Sequence, residues 1–248
     1  MTLRDFFFQN PRAAVAFSGG VDSAVLLWAA KTYGQQVRAY CVRSPFQPVF
    51  ELEDAKQLAD ILNVTLTVLE ADPLSAPEVA ANGPDRCYLC KHLILSTILR
   101  AARRDGLPLV VDGSNASDDP TQRPGMRAVA ELGVRSPLRE CGLDKQAVRQ
   151  LAQKAGLPVW NKPAYACLAT RVPTGTPITR EDLARVERAE TTLAGLGFSD
   201  FRVRLFHGGA RIQLPPEQLA QAVTLRDTIT AALSADFPAI LLDLIPRS

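Results

Sequence analysis

No run of 18 or more uncharged apolar residues occurs in the chain, so no membrane-spanning helix is expected. The first ten residues lack a basic stretch followed by a long apolar one. A secretory leader is therefore not expected, and the cytoplasm is the expected compartment. Charge of one sign is also missing. The formal net charge is +2, which argues against a nucleic-acid partner, since such a partner calls for a basic surface. There is no internal repeat, no low-complexity tract and no second Cys-x-x-Cys, so paired motifs cannot build a four-thiolate zinc site. The cysteine count is five, an odd number in a chain of 248 residues with no leader. A metal or redox use is favoured over a disulfide scaffold.

The chain does have ample apolar material, 47% of it, and a regular alternation of short apolar runs with helical periods. Strands are expected at 13–17, 37–42, 64–69 and 109–112. Helices are expected at 24–31, 52–62 and 93–102. Strands alternating with helices imply an α/β fold with a doubly wound parallel sheet. Phe6, Phe7 and Phe8 read as a short amphipathic helix packed on the core, and 144–155 as a helix closed by Gly156. From Thr179, a helix cap, the pattern becomes α-β-β-α-β: a helix to about 196, strands 201–206 and 210–214 around Gly208-Gly209, a helix 216–233 and a strand 240–244. The expected division is a nucleotide-binding domain 1–165, a hinge loop 166–178 and a small α+β domain 179–248.

The first strand runs into Ser18-Gly19-Gly20-Val21-Asp22-Ser23 and then a helix. Two glycines let the backbone approach an anion, and the helix start offers unpaired N–H groups and partial positive charge. Ser18 and Ser23 add hydroxyls, and Asp22 is suited to a magnesium ion bridging phosphates. No Gly-Lys-Ser/Thr follows, so this is not a Walker A loop, and the three spaced glycines of the dinucleotide fingerprint are missing. The hexapeptide resembles the PP-loop of ATP pyrophosphatases, which cleave ATP between the α- and β-phosphates and adenylate a substrate.

Cys87 and Cys90 form a Cys-x-x-Cys pair at a helix start, able to share one metal or cluster, with a redox pair as the alternative. Cys167 lies in a loop of Pro and small residues between Lys162 and Arg171, cations that favour its thiolate. Three thiolates leave one iron of a 4Fe–4S cubane open to sulfide. Cys41, at the end of an apolar strand, and Cys141, before Gly142, are expected to be inert.

These segments together resemble the LarE family of ATP-dependent sulfur transferases. The resemblance spans nearly the whole chain. It runs through the loop, Arg86-Cys87-Tyr88-Leu89-Cys90-Lys91, Asp112-Gly113-Ser114-Asn115, Arg123-Pro124-Gly125, Ser136-Pro137-Leu138, Trp160 to Arg171 and Arg202-Val203-Arg204. It implies ATP bound at Ser18 to Ser23 with Ser44 and Gly113. It also implies adenylation of a carboxylate of a pyridinium biscarboxylic mononucleotide, and displacement of AMP by sulfur. Sulfur would come from a sulfide or donor on a 4Fe–4S cluster, or from Cys167 itself, which would become dehydroalanine. Glu190 falls where the family has a carboxylate near the substrate, and Arg202 and Arg204, with Arg171, where it binds the substrate phosphate. Two residues apart on a strand, Arg202 and Arg204 share one face, and a solvated basic face is the alternative. For Glu190 the alternative is an exposed helix residue. Gln213 stands where an acidic residue is expected, and the short C-terminus lacks the family's glycine-rich tail. A homo-oligomer is expected. The rivals are a tRNA thiolase, an ammonia-using synthetase and a non-enzymatic nucleotide-binding regulator. The first calls for a basic extension, the second for no cysteine triad, and the third for no intact loop.

Overall fold

The computed structural model describes residues 1–121 and 123–247. Gln122, in the expected loop 117–125, and Ser248, at the end of the expected second domain, lie outside the described residues. The chain forms two compact units, residues 1–79 with 85–162, and residues 80–84 with those from 163 on.

In the first unit four strands form one parallel sheet in the order β3-β2-β1-β4. They are β1 (Arg12–Ala16), β2 (Gln36–Arg43), β3 (Leu66–Glu70) and β4 (Leu109–Val111). The helices before and between them are α1 (Leu3–Gln9), α2 (Val21–Tyr33), α3 (Val49–Ile61), the short α4 (Pro77–Ala80) and α5 (Arg86–Arg104). Then come α6 (Gly125–Glu131), α7 (Pro137–Glu140) and α8 (Lys145–Lys154). Alternation along the strands feeds two cores. Ala13, Val15, Ala39 and Cys41 join α1, α2 and α3 on one face, while Ala14, Tyr40 and Val42 join Leu95, Ile98 and Ala101 of α5 on the other. This is the doubly wound sheet expected from the pattern. α1 is fixed by a capping box between Thr2 and Asp5 and buries Phe6 and Phe7 fully, but Phe8 faces solvent. α5 starts seven residues before the expected helix, so Cys87 and Cys90 occupy its first turns.

The strand order places β2 and β3 on one side of β1 and β4 on the other. The gap between the carboxyl ends of β1 and β4 is thus a topological switch point, where open α/β sheets take their ligands.

The second unit contains α9 (Arg180–Gly195), β5 (Arg202–Phe206), β6 (Gly209–Gln213), α10 (Leu219–Thr224), α11 (Arg226–Leu233) and β7 (Ile240–Leu242). β5 and β6 are antiparallel through a two-residue turn at His207 and Gly208, both at positive φ, and β7 adds parallel to β6. The expected helix 216–233 is broken at Leu225, whose ψ of 12° closes α10 and precedes α11. The β-branched pair Val223-Thr224 weakens the helix there. The segment expected as a hinge, 166–178, packs within this unit. Asn82, almost fully buried, donates from Nδ2 to the carbonyls of Pro173 and Thr176, each at 2.9 Å. The amides of Gly175 and Ile178 return bonds to Asn82 and Ala80.

Candidate active site

β1 ends at Ala16, and Phe17 to Gly20 turn the chain into α2. Gly19 has φ +77°, and a Cβ there would meet the backbone of Ala55 on α3 at 3.1 Å. Both the conformation and the space therefore require glycine. Gly20 caps α2 without a side-chain bond, so the first-turn N–H groups face the switch point with the positive end of the helix dipole behind them. Ser23 Oγ donates to the Gly20 carbonyl at 3.0 Å and accepts from Ser18 N at 3.3 Å, which draws the loop into a closed ring. Gly113, just past β4, lies against this ring. A side chain there would come within 3.0 Å of Ser23 N. Ser44, buried just past β2, accepts from Phe46 N at 3.3 Å and shapes the neighbouring turn. The residues present fit a polyphosphate chain: backbone donors, small residues and a helix start at the switch point.

Asp22, in the first turn of α2, has a partner on each oxygen. Asn115 Nδ2 donates to Oδ1 at 3.0 Å, and the Lys145 ammonium forms a short ion pair with Oδ2. The Asn115 amide is oriented because its Oδ1 accepts from Ser117 N at 2.9 Å. Beside it, Asp112 is buried and receives Ser136 Oγ (2.7 Å), Ser114 Oγ (2.8 Å) and Lys91 Nζ (3.1 Å). Burial alone would raise its pKa, but Lys91 and the two hydroxyls hold the carboxyl below its usual range. Lys91 directly follows Cys90, so this ion pair ties the cysteine-bearing helix to the end of β4. Lys145 and Asn115 gain their roles only from the tertiary arrangement. Asn115 lies in one of the segments that carry the family resemblance, whereas nothing in the local sequence marks Lys145 beyond the Asp144 cap that starts α8.

Cys87 is exposed, Cys90 is half-buried, and their spacing puts both on one side of α5. The Arg86 guanidinium donates to Cys87 Sγ at 3.3 Å. Cys167 belongs to the second unit and is exposed. Among the described residues no three His, Cys, Asp or Glu side chains are grouped to hold a metal ion. Cys41 is buried and its thiol is pushed up by burial, as suits an inert residue; Cys141 is pushed up the same way.

The two cations that flank Cys167 also have carboxylate partners, while Arg171 still interacts with the charge of Cys167. Lys162 pairs with Asp54 at 2.5 Å. Arg171 is fully buried and donates through Nε and Nη2 to Glu190 at 2.7 and 3.0 Å. Glu190 is itself buried and also accepts from Val203 N at 2.9 Å and from the Tyr165 hydroxyl. It is not the exposed helix residue of the alternative reading, and its oxygens are committed to the fold. Arg202 is buried too, not part of a solvated face, and burial followed by Arg171's charge draws its pKa down to about 10. Three arginines pin the Cys167 loop by its carbonyls. Arg202 Nη2 reaches Ala164 O (2.6 Å), Arg171 Nη1 reaches Ala166 O (3.0 Å) and Arg204 Nη1 reaches Thr170 O (2.5 Å). Tyr165 stacks between the Arg171 and Arg202 guanidiniums. The loop is held rigidly while its thiol stays open to solvent.

Arg204, half-buried, also lines a groove of about 680 Å³ with Arg185, Arg211 and Thr170. The buried Nε atoms of Arg185 and Arg211 have no hydrogen-bond partner, and Arg204 Nε is held by Gln213 Oε1 at 2.6 Å. Gln213 in turn donates to Asp243 at 2.9 Å. An acidic residue at 213 would neutralise Arg204; the amide orients it and leaves the charge available.

The family model described as "Queuosine biosynthesis protein QueC" matches residues 12–81, which cover β1, the glycine loop and the two strands that follow. An uncharacterized protein of Synechocystis sp. is 40% identical across 98% of this chain and 92% of its own length. The pyridinium-3,5-bisthiocarboxylic acid mononucleotide synthase of Lactiplantibacillus plantarum is 36% identical across 94% of this chain and 86% of its own length. A tRNA-specific 2-thiouridylase of Magnetococcus marinus is 30% identical across 62% of this chain and 54% of its own length. No helix among the described residues is long and apolar enough to cross a membrane. Full-length similarity to the synthase, added to a closed glycine ring at a switch point and an exposed cysteine on a pinned loop, shows that this chain belongs to the LarE family of ATP-dependent sulfur transferases within the PP-loop superfamily.

Proposed function

We propose that the chain converts a carboxylate of pyridinium-3,5-biscarboxylic acid mononucleotide to a thiocarboxylate, the chemistry named for its L. plantarum relative. ATP lies with its phosphates on Ser18 to Ser23, and the carboxylate oxygen attacks the α-phosphorus as pyrophosphate leaves. Sulfur then attacks the acyl carbon and AMP leaves. The observation that carries the reading is the loop itself, in which Gly19 closes against Ala55 of α3 and Gly113 keeps a side chain away from Ser23 N at the start of α2. Asp22 is the residue that would hold magnesium at the phosphates, the charge neutralisation such a transfer needs. Sulfur enters through the cysteines already named. Either Cys87, Cys90 and Cys167 hold a 4Fe–4S cluster that carries sulfide, or Cys167 gives up its own sulfur.

The test is product analysis with ATP, magnesium and the mononucleotide. AMP and pyrophosphate in equal amounts are expected. Clean ADP formation would defeat the assignment. Asp22→Asn should lower turnover by orders of magnitude and barely move the melting temperature, because the side chain is partly exposed at the start of α2 and supports little core.

The groove at Arg204 is assigned to the substrate phosphate because Arg171, Arg185, Arg204 and Arg211 all line it, a concentration of positive charge suited to an anion. Arg204→Ala is expected to raise KM for the mononucleotide roughly ten-fold or more with ATP affinity unchanged, the scale of one charge-assisted phosphate contact. An unaltered KM would remove the phosphate from this groove.

A further inference from the structure

We propose that Lys145 is the cation that receives the β- and γ-phosphates, and that its ion pair with Asp22 is the resting form of that site. The proposal rests on the nucleotide reading above and deepens it. The pair does not serve the stability of the fold. Its side chains keep 36% and 23% of their exposure, and ion pairs so open to water contribute little. Its place on α8 is also unfavourable for the helix. Lys145 is the first helical residue, where the macrodipole disfavours a cation.

The surrounding bonds nonetheless hold this lysine in place. Lys145 N donates to Ser117 Oγ at 3.0 Å, and Ala116 N donates to Leu143 O at 2.8 Å. The segment 115–117 thus fixes the start of α8. The same segment supplies Asn115, the other donor to Asp22. One short stretch therefore sets both partners of the loop carboxylate.

The charges explain the arrangement. Asp22 by itself would repel an approaching polyphosphate, and Lys145 neutralises it. When phosphates arrive on the N–H groups of α2, the ammonium is already next to them. It can pass from the carboxylate to the phosphate oxygens by rotation of its own side chain. Asp22 is then released, still oriented by Asn115, and open to a divalent cation. The lysine thereby recognises pyrophosphate and the β,γ end of ATP, and has nothing to hold in AMP.

Equilibrium binding measured by calorimetry tests this with three probes in magnesium buffer: ATP, pyrophosphate and AMP. Lys145→Met is expected to weaken ATP and pyrophosphate roughly ten-fold or more and to leave AMP unchanged. Lys145→Arg, which keeps the charge, is expected to retain most of the pyrophosphate affinity. A second measurement needs no variant. Acetylation of Lys145 in the wild-type protein, read by peptide mass, should be blocked by magnesium pyrophosphate and not by AMP. Parallel weakening of AMP and ATP, unaltered pyrophosphate affinity in Lys145→Met, or equal protection by AMP would each overturn the proposal. If the wild-type protein bound none of the three probes, the nucleotide reading itself would fail, a result distinct from the others.

Discussion

Glu190→Ala is expected to destabilise the second unit by about 3–5 kcal/mol, the usual cost of stripping one partner from a buried ion pair. The change would leave the Arg171 guanidinium charged and enclosed, and would also orphan the Tyr165 hydroxyl and the Val203 amide. A unit of this size has only about 5–15 kcal/mol of stability in total. A fall in its melting temperature of about 12 °C or more follows, at roughly 4–8 °C per kcal/mol for a domain below a hundred residues. Scanning calorimetry or circular dichroism would measure it. The double variant Glu190→Leu with Arg171→Met should regain part of the loss, because paired apolar groups often replace a buried ion pair at little cost. Full stability of Glu190→Ala with loss of turnover would instead make Glu190 a reacting carboxylate, the role suggested by the family resemblance. Its four bonds argue that it acts on the reaction through the Cys167 loop, by holding Arg171 against the Ala166 carbonyl.

Cys167→Ala is expected to abolish thiocarboxylate formation while pyrophosphate is still released and the acyl-adenylate accumulates. The thiol is exposed at the start of a 3-10 turn, and the turn is closed by bonds from Thr170 N (3.0 Å) and Thr170 Oγ1 (2.8 Å) to the Cys167 carbonyl. The residue is exposed, so the melting temperature should stay within about a degree, as for surface changes generally. Loss of pyrophosphate release together with sulfur transfer would count against a role confined to the second step. Cys87→Ala and Cys90→Ala divide the two sulfur routes. On the cluster route each abolishes transfer, and anaerobically prepared wild-type protein is brown with about four irons per chain. On the sacrificial route both variants keep a first turnover, and the spent wild-type protein is lighter by one H₂S.

Much of this molecule can be read along the chain. The alternating apolar runs announce the parallel sheet, because a buried strand must be apolar on both faces and a helix must return to the same edge. Ser18 to Ser23 announce the phosphate loop, because a closed ring at a helix start tolerates only small residues and a carboxylate. Thr179 announces its helix, and does cap it. Those signals are local: they depend on backbone conformation within a few residues, which sequence determines directly.

What the sequence left open depends on partners far away along the chain. That Asp22 meets Lys145, that Asp112 meets Lys91, and that Glu190 is enclosed by Tyr165, Arg171 and Val203 follow from which elements become neighbours. Arg202 and Arg204 share a strand face by period alone, yet only packing decides that one is buried against the Cys167 loop and the other opens on a groove. The passage of residues 80–84 into the second unit is likewise silent in composition, since a single buried asparagine satisfying loop carbonyls leaves no periodic trace. Sequence alone determined the sheet, the loop and the family. Tertiary structure decided which charges are spent on holding the chain and which remain for a ligand, because a charge declares its role only through what it is buried against.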